Sequence, residues 1–497
     1  MTDFEPGNDP VVVMPEQRDR PSGCRIALTI LVVLALIAMS ASGAIWYFFY
    51  QERPQPVQPD PIVEATAPST GSEQATPAES DSTREESEAE NEPVATALNL
   101  TAAEDGAAVN RIAYVNEEGQ IVALGPDGSD EQQLTNAQQR FQFPAWSPDG
   151  RSLAAIGIDR TGAGVFVLAD GTTEVAPAPL YADRVEGPFY LYWSPDGKQV
   201  SFLASHPEGM GLHLVQADGS TESRLLTIGG PLYWQWTADS QQMLIHSGFS
   251  GEASRLELIK ADGDGTGDAI AAPGFFQAPG ISADGRYLAY AEEVTGRSSR
   301  LTIVDTQSEA VEQQRHAGLV AMAWSPTANQ LAFTNGTEPD SSSFVGPLRL
   351  MDAATGEVRL LSNEPIVAFF WSPDGRYLAA LSILRSGEGD INALAGKSST
   401  AKRSQQQNLP MLRLLVYDVT TDEGRFLFTF VPTFTFATQF LPFFDQYALS
   451  HRLWSPDSSA LVLSMVENGR NQIFIINVVS GQKQFLAEGL MPFWSPH

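Results

Sequence analysis

The chain has a single cysteine, Cys24, in 497 residues. It can form no internal disulfide and no cysteine-based four-ligand metal site. Its six histidines are far apart in sequence, with no metal-ligand spacing. Basic side chains are scarce: 30 Lys and Arg stand against 60 Asp and Glu, giving a formal net charge of -30. A chain this acidic repels the phosphate backbone, which argues against nucleic acid as a partner. There is no Gly-x-Ser-x-Gly elbow, no His-Glu-x-x-His pair and no Gly-rich loop feeding a helix. The sequence therefore assigns no catalytic, cofactor-binding or metal-ligating residue. Asp262-Gly263-Asp264-Gly265-Thr266-Gly267-Asp268 looks like the start of a calcium loop, but Pro273 stands where the twelfth-position Glu would be. A plain hairpin turn is expected there.

Charge is also missing from residues 26–50, IALTILVVLALIAMSASGAIWYFFY. As a helix this run spans roughly 37 Å, enough for a bilayer core. Trp46, Tyr47 and Tyr50 would form an interfacial belt. Arg18, Arg20 and Arg25 precede the run and only Arg53 closely follows it. The positive-inside rule then keeps residues 1–25 in the cytoplasm as a short tail and places the rest outside. The expected location is a cell membrane, crossed once, with the lipid bilayer as partner of 26–50. Residues 51–108 are rich in Pro, Glu, Ser and Thr and poor in large apolar side chains. They cannot repay the entropy of ordering, so a disordered acidic stalk is expected.

From residue 109 to 497 the text is periodic. Trp146, Trp193 and Trp371 open the phrase Trp-Ser-Pro-Asp-Gly; Trp454 opens Trp-Ser-Pro-Asp; Trp324 and Trp494 open Trp-Ser-Pro. Trp236-Thr-Ala-Asp and Ile281-Ser-Ala-Asp-Gly are looser copies. Successive spacings are 47, 43, 45, 43, 47, 83 and 40. A period of 40–50 with short apolar strands and Asp-Gly turns is that of propeller blades. Pro-Asp-Gly favours a tight turn, and the tryptophans are expected to anchor each blade on its neighbour. Residues 111–134 lack an anchor strand, and 491–496 are an anchor strand lacking a blade, so the two would complete one split blade. The fold expected is all-β, a propeller of eight blades, with seven as the alternative.

The repeated phrase resembles the WD40-like PD40 repeat of TolB-type propellers and looks similar to the propellers of prolyl-oligopeptidase and tricorn-like proteins. The resemblance implies an extracytoplasmic module that binds another envelope protein, in a bacterial host. A peptidase propeller would carry a hydrolase domain; none is expected here, since the sequence reaches His497 within an anchor phrase. The competing functions are a carbohydrate- or small-ligand-binding sensor using the central cavity, and a propeller enzyme, a lyase or hydrolase, drawing residues from several blades. The 83-residue interval holds a polar insert near 384–411 and then a Phe-rich stretch. Within it Phe434, Phe436, Phe440, Phe443 and Phe444 are the candidate interaction surface. Core packing is the competing reading of the same side chains.

Overall fold

The computed structural model describes residues 110–136, 138–173, 178–249, 254–274, 277–295, 298–336, 343–384 and 409–497. The expected tail, membrane segment and stalk, and most of the insert at 384–411, lie outside the described residues. Among the described residues no helix is long and apolar enough to cross a membrane.

The described chain is all-β and folds as successive antiparallel meanders. The first sheet pairs Ile112–Val115, Ile121–Leu124 and Gln132–Gln133 with the last strand of the chain, Leu490–Trp494. The second runs Arg140–Trp146, Ser152–Asp159, Gly162–Ala169, Tyr181–Asp183. The third is Pro188–Trp193, Gln199–His206, Gly209–Gln216, Arg224–Gly229. The fourth comprises Leu232–Trp236, Gln242–Ser247, Arg255–Lys260, Gly267–Ala271. The fifth is Gly280–Ile281, Tyr287–Thr295, Ser298–Asp305, Val311–His316. The sixth has seven strands: Val320–Trp324, Gln330–Asn335, Gly346–Asp352, Val358–Trp371, Tyr377–Ile383, Leu412–Asp418, Glu423–Phe430. Its fourth strand, Val358–Trp371, is 14 residues long and shifts register between Ile366 and Ala368. The seventh has Ala460–Glu467, Arg470–Asn477 and Lys483–Glu488, with Trp454 bridged to Leu461 on its inner side.

The Asp262–Asp268 segment is the hairpin turn expected from its sequence. Asp264 Oδ1 accepts the Thr266 N–H (3.1 Å) and hydroxyl (2.6 Å).

Strands such as Ser152–Asp159 and Ala460–Glu467 are apolar on both faces and buried on both. Each face needs a neighbouring sheet, because one meander cannot cover itself. The core is accordingly built between sheets. Ala154 and Ile156 of the second meet Leu191 and Phe202 of the third. Leu301 and Ile303 of the fifth meet Met322 and Phe333 of the sixth. Ile112 and Val122 of the first meet Val462 and Ile475 of the seventh. The first and last elements thus share both a sheet, through Ile112↔Trp494, and a core.

Candidate functional site

The repeated phrase is a turn and a splice at once. Ser147 Oγ donates to Asp149 Oδ1 (2.5 Å) and accepts the Ser152 N–H (3.0 Å), while Asp149 accepts the Arg151 N–H (3.1 Å). The same pattern recurs at Ser194–Asp196, Thr237–Asp239, Ser282–Asp284, Ser372–Asp374 and Ser455–Asp457. The hydroxyl beside each of Asp149, Asp239 and Asp284 holds its carboxyl below the ordinary range. Gly150 closes its turn at φ 68°, in the left-handed region glycine favours. Ser240 and Ser458 stand in that position at φ 61°. Their hydroxyls accept the N–H of Asp196 and Asp374 in the preceding phrase (3.0 and 3.1 Å). What reads as drift in the sequence therefore adds a bond between neighbouring turns.

The indoles do the splicing. Trp146 Nε1 donates to the Phe493 carbonyl (3.1 Å) and Trp193 Nε1 to that of Ala145 (2.9 Å). Trp371 donates to Ala323 and Trp454 to Phe370, both at 3.0 Å. In each case the acceptor is the residue before the preceding anchor. Trp236 bonds Ser201 Oγ (3.0 Å), and Trp494 bonds Asn110 Oδ1 (2.5 Å). Trp324 lies over Gly280, and its buried Nε1 has no hydrogen-bond partner among the described residues.

The Phe-rich stretch is where the structure departs most from the expected surface. After Pro432 the chain leaves the sheets as a π-helical turn (Phe436–Phe440), a 3-10 turn (Leu441–Phe443) and one α turn (Phe444–Tyr447). Phe436, Phe440 and Phe444 are buried. They are core side chains and are not available as a surface. Phe434 is exposed and Phe443 half-buried. The segment 433–451 packs against the first four sheets, the sixth and the seventh. Phe440 meets Phe493 of the first (5.8 Å between centroids) and Phe370 of the sixth (6.0 Å). Tyr447 meets Phe143 of the second (5.1 Å) and Tyr190 of the third (4.8 Å). Thr433 Oγ1 is 3.3 Å from Ser464 Oγ of the seventh. Gln446 pairs with Trp234 of the fourth, accepting its N–H (3.0 Å) and donating to its carbonyl (2.8 Å). A cavity of only about 10 Å³ remains beside Phe436 and Phe440. Side chains and inner strand edges that would face a central channel face this segment instead.

Ser450 and His451 have the spacing of a nucleophile and its base: Oγ lies 2.7 Å from Nδ1, and Nε2 lies 3.4 Å from the Phe143 carbonyl. Burial depresses the imidazole to about 3. The ring is therefore held neutral among the apolar side chains around it. Burial pushes the Asp445 carboxyl the other way, up to about 6. Among the described residues no group of three or more His, Cys, Asp or Glu could hold a metal ion.

A roomier concavity lies on the sixth sheet, a groove of about 470 Å³ lined by Leu361, Ser362, Glu364, Arg413, Tyr417 and Gly424. Arg413 Nη1 pairs with Glu364 (2.8 Å) and its guanidinium lies 5.1 Å from the Phe426 ring. Tyr417 donates to Ser362 Oγ (2.7 Å). Phe426 and Leu360 are 49% and 48% exposed, large apolar side chains left uncovered.

The class these sheets define is the β-propeller: repeated four-stranded meanders packed face to face, with the first and last described strands paired in one sheet. No family model matches the sequence. Solved structures that it resembles include TolB from Acinetobacter baumannii (15% identity, 78% of this chain and 67% of that one, TM-score 0.36). An oligogalacturonate lyase from Vibrio parahaemolyticus is another (13% identity, 77% and 85%, TM-score 0.40). Among curated proteins, the uncharacterized peptidase YuxL of Bacillus subtilis is 29% identical over 168 residues. The match takes in 32% of this chain and 23% of that protein's length. These likenesses assign no activity to the chain.

Proposed function

We propose that the chain is a TolB-like propeller of eight blades, anchored in a membrane by residues 26–50 and held outside the cytoplasm, that binds another extracytoplasmic protein. The blade count is supported by the long strand Val358–Trp371. It serves as the outer strand of one four-stranded unit and the inner strand of the next, so the seven-stranded sheet is two blades sharing a strand. The anchor and orientation rest on the apolar run 26–50 and the arginines before it.

One observation carries the binding role over an enzymatic one. Segment 433–451 fills the place where residues from several blades would have to converge on a substrate. The open concavity is the groove on the sixth sheet, with Phe426 and Leu360 exposed beside it. Buried aromatic and arginine anchors are what protein interfaces use, and Arg413 beside Phe426 supplies both. Site-specific photocross-linking in intact membranes tests this. A probe at Phe426 should give a discrete adduct, and one at Val311, exposed on the fifth sheet, should not. The same adducts from both positions, or none at Phe426, refute the reading.

The paired Glu364 and Arg413 in the groove also suit a small polar ligand, which supports the sensor reading as the alternative. Competition of the cross-link by free saccharides would favour it.

A further inference from the structure

A strand at the end of a sheet offers a row of unpaired N–H and C=O groups, and proteins keep such edges short or charged. The outermost strands of six sheets have two to six residues each. The sixth sheet departs from this. Its last strand, Glu423–Phe430, has eight residues, among them Phe426, Leu427, Phe428 and Phe430. Glu423, Gly424, Arg425 and Phe426 are exposed in succession. Gly424 leaves the edge bare. A Cβ there would stand 2.5 Å from the Tyr417 ring, so the position takes no side chain that could shield the main chain.

The two faces of this strand differ in chemistry. Its register slips opposite Leu414 and Leu415, with Leu427 as the extra residue, so Phe426 and Phe428 turn to opposite sides. Phe426 is on the groove side, 5.1 Å from the Arg413 guanidinium. Phe428 is on the side of the seventh sheet, 5.4 Å from Lys483 Nζ. Arg425 turns the same way and donates to the Val479 carbonyl. On the neighbouring strands Arg359, Arg413 and Lys483 are each paired with a carboxylate. Arg425 has no carboxylate partner among the described residues, and its charge is left over on an exposed edge.

We infer that the protein partner docks by strand addition: an extended segment of it pairs with the free edge of Glu423–Phe430 and sets an apolar side chain against Phe426 and a carboxylate against Arg425. The inference rests on the protein-binding reading of this groove and names the form its partner takes. Main-chain pairing supplies the attachment, and the side chains of the added strand fall alternately to the two faces. One row enters the groove beside Phe426. The other meets the unneutralised Arg425. Because the two residues are neighbours facing opposite ways, the matching pair in the partner is an apolar and an acidic residue adjacent in sequence.

Photocross-linking probes placed singly at Glu423, Phe426 and Thr429 of the full chain in intact membranes test this, with the linked residues of the partner mapped by mass spectrometry. An added strand has the same rise per residue as its template. The three probes should therefore reach one continuous run of the partner, each step along Glu423–Phe430 moving the linked residue by about three positions in a constant direction. Arg425→Glu should lower the yield of the Phe426 adduct by about fivefold or more. Adducts that fall on scattered segments of the partner, or an adduct from Phe426 alone, overturn strand addition while leaving a protein bound at the groove. An unchanged or higher yield with Arg425→Glu overturns the acidic contact. No adduct from Phe426 removes the binding reading, and strand addition with it.

Discussion

Replacing Trp371 by phenylalanine should cost far more than the same change at Trp324, although both are anchor tryptophans and both are half-buried. Each loses part of an indole that packs on the preceding blade. Only Trp371 also loses a hydrogen bond, the 3.0 Å contact from Nε1 to the Ala323 carbonyl. Trp324 Nε1 has no partner to lose. Trimming an indole to a phenyl ring in a close-packed site costs about 1 kcal/mol from lost contacts. Removing the donor adds about 0.5–1.5 kcal/mol at position 371, where the part-buried bond to the Ala323 carbonyl is lost. The gap between the variants should therefore be about 0.5–1.5 kcal/mol, read as a difference in urea midpoint at constant slope. Position 324 even gains slightly by shedding a desolvated N–H that bonds nothing. A Trp324 variant as destabilised as the Trp371 variant would refute the idea that the indole N–H, rather than ring size, explains tryptophan at the anchors.

Other outcomes follow from the same geometry. Burial holds the Asp445 carboxyl near 6 in the folded state, against 3.8 for an ordinary aspartate. The folded state then holds the proton between those values, and stability falls as pH rises through them. Above about pH 7 the buried carboxylate costs roughly 3 kcal/mol. Asp445→Asn should therefore raise the melting temperature at about pH 8 and leave it unchanged below about pH 4, as thermal melts across pH would show. The phrase aspartates behave oppositely. Asp149, Asp239 and Asp284 are depressed by their hydroxyl partners, so their contribution is complete above the unfolded value and is lost as pH falls below it. Ser147→Ala should flatten that acid limb and lower stability by about 1 kcal/mol at neutral pH. Calcium at millimolar concentration should leave the melting temperature unchanged, because Asp264 already bonds Thr266 within its hairpin; a rise would reopen the site.

Much of this architecture is local in origin and therefore legible. The spacing of Trp146, Trp193, Trp236, Trp324, Trp371 and Trp454 reports blade length directly, because each blade repeats the same turn chemistry. The half-units at 111–134 and 491–496 meet as Ile112↔Trp494. The Phe-rich stretch was harder. Aromatic residues read alike whether they cover a surface or fill a core, and the sequence offers both readings of Phe434, Phe436, Phe440, Phe443 and Phe444. One signal was present: Phe436, Phe440 and Phe444 recur at a spacing of four, a helical period inside an all-β chain. Such a segment cannot join a sheet and must pack elsewhere.

Gln446 could not be found this way. Nothing about a glutamine beside an aspartate marks it as the partner of a strand 212 residues earlier. Likewise the indole bonds, from Trp146 to the Phe493 carbonyl for instance, run between residues 347 apart. The sequence by itself determined the repeat, its turns and the acidity that excludes nucleic acid, since each depends on neighbouring residues or on composition. The tertiary structure alone decided which aromatics are buried, what fills the space between the sheets and which junctions lack an indole hydrogen bond. Those depend on which distant backbone groups are left unpaired once the blades stand side by side, and an unpaired buried group can be identified only when its surroundings are known.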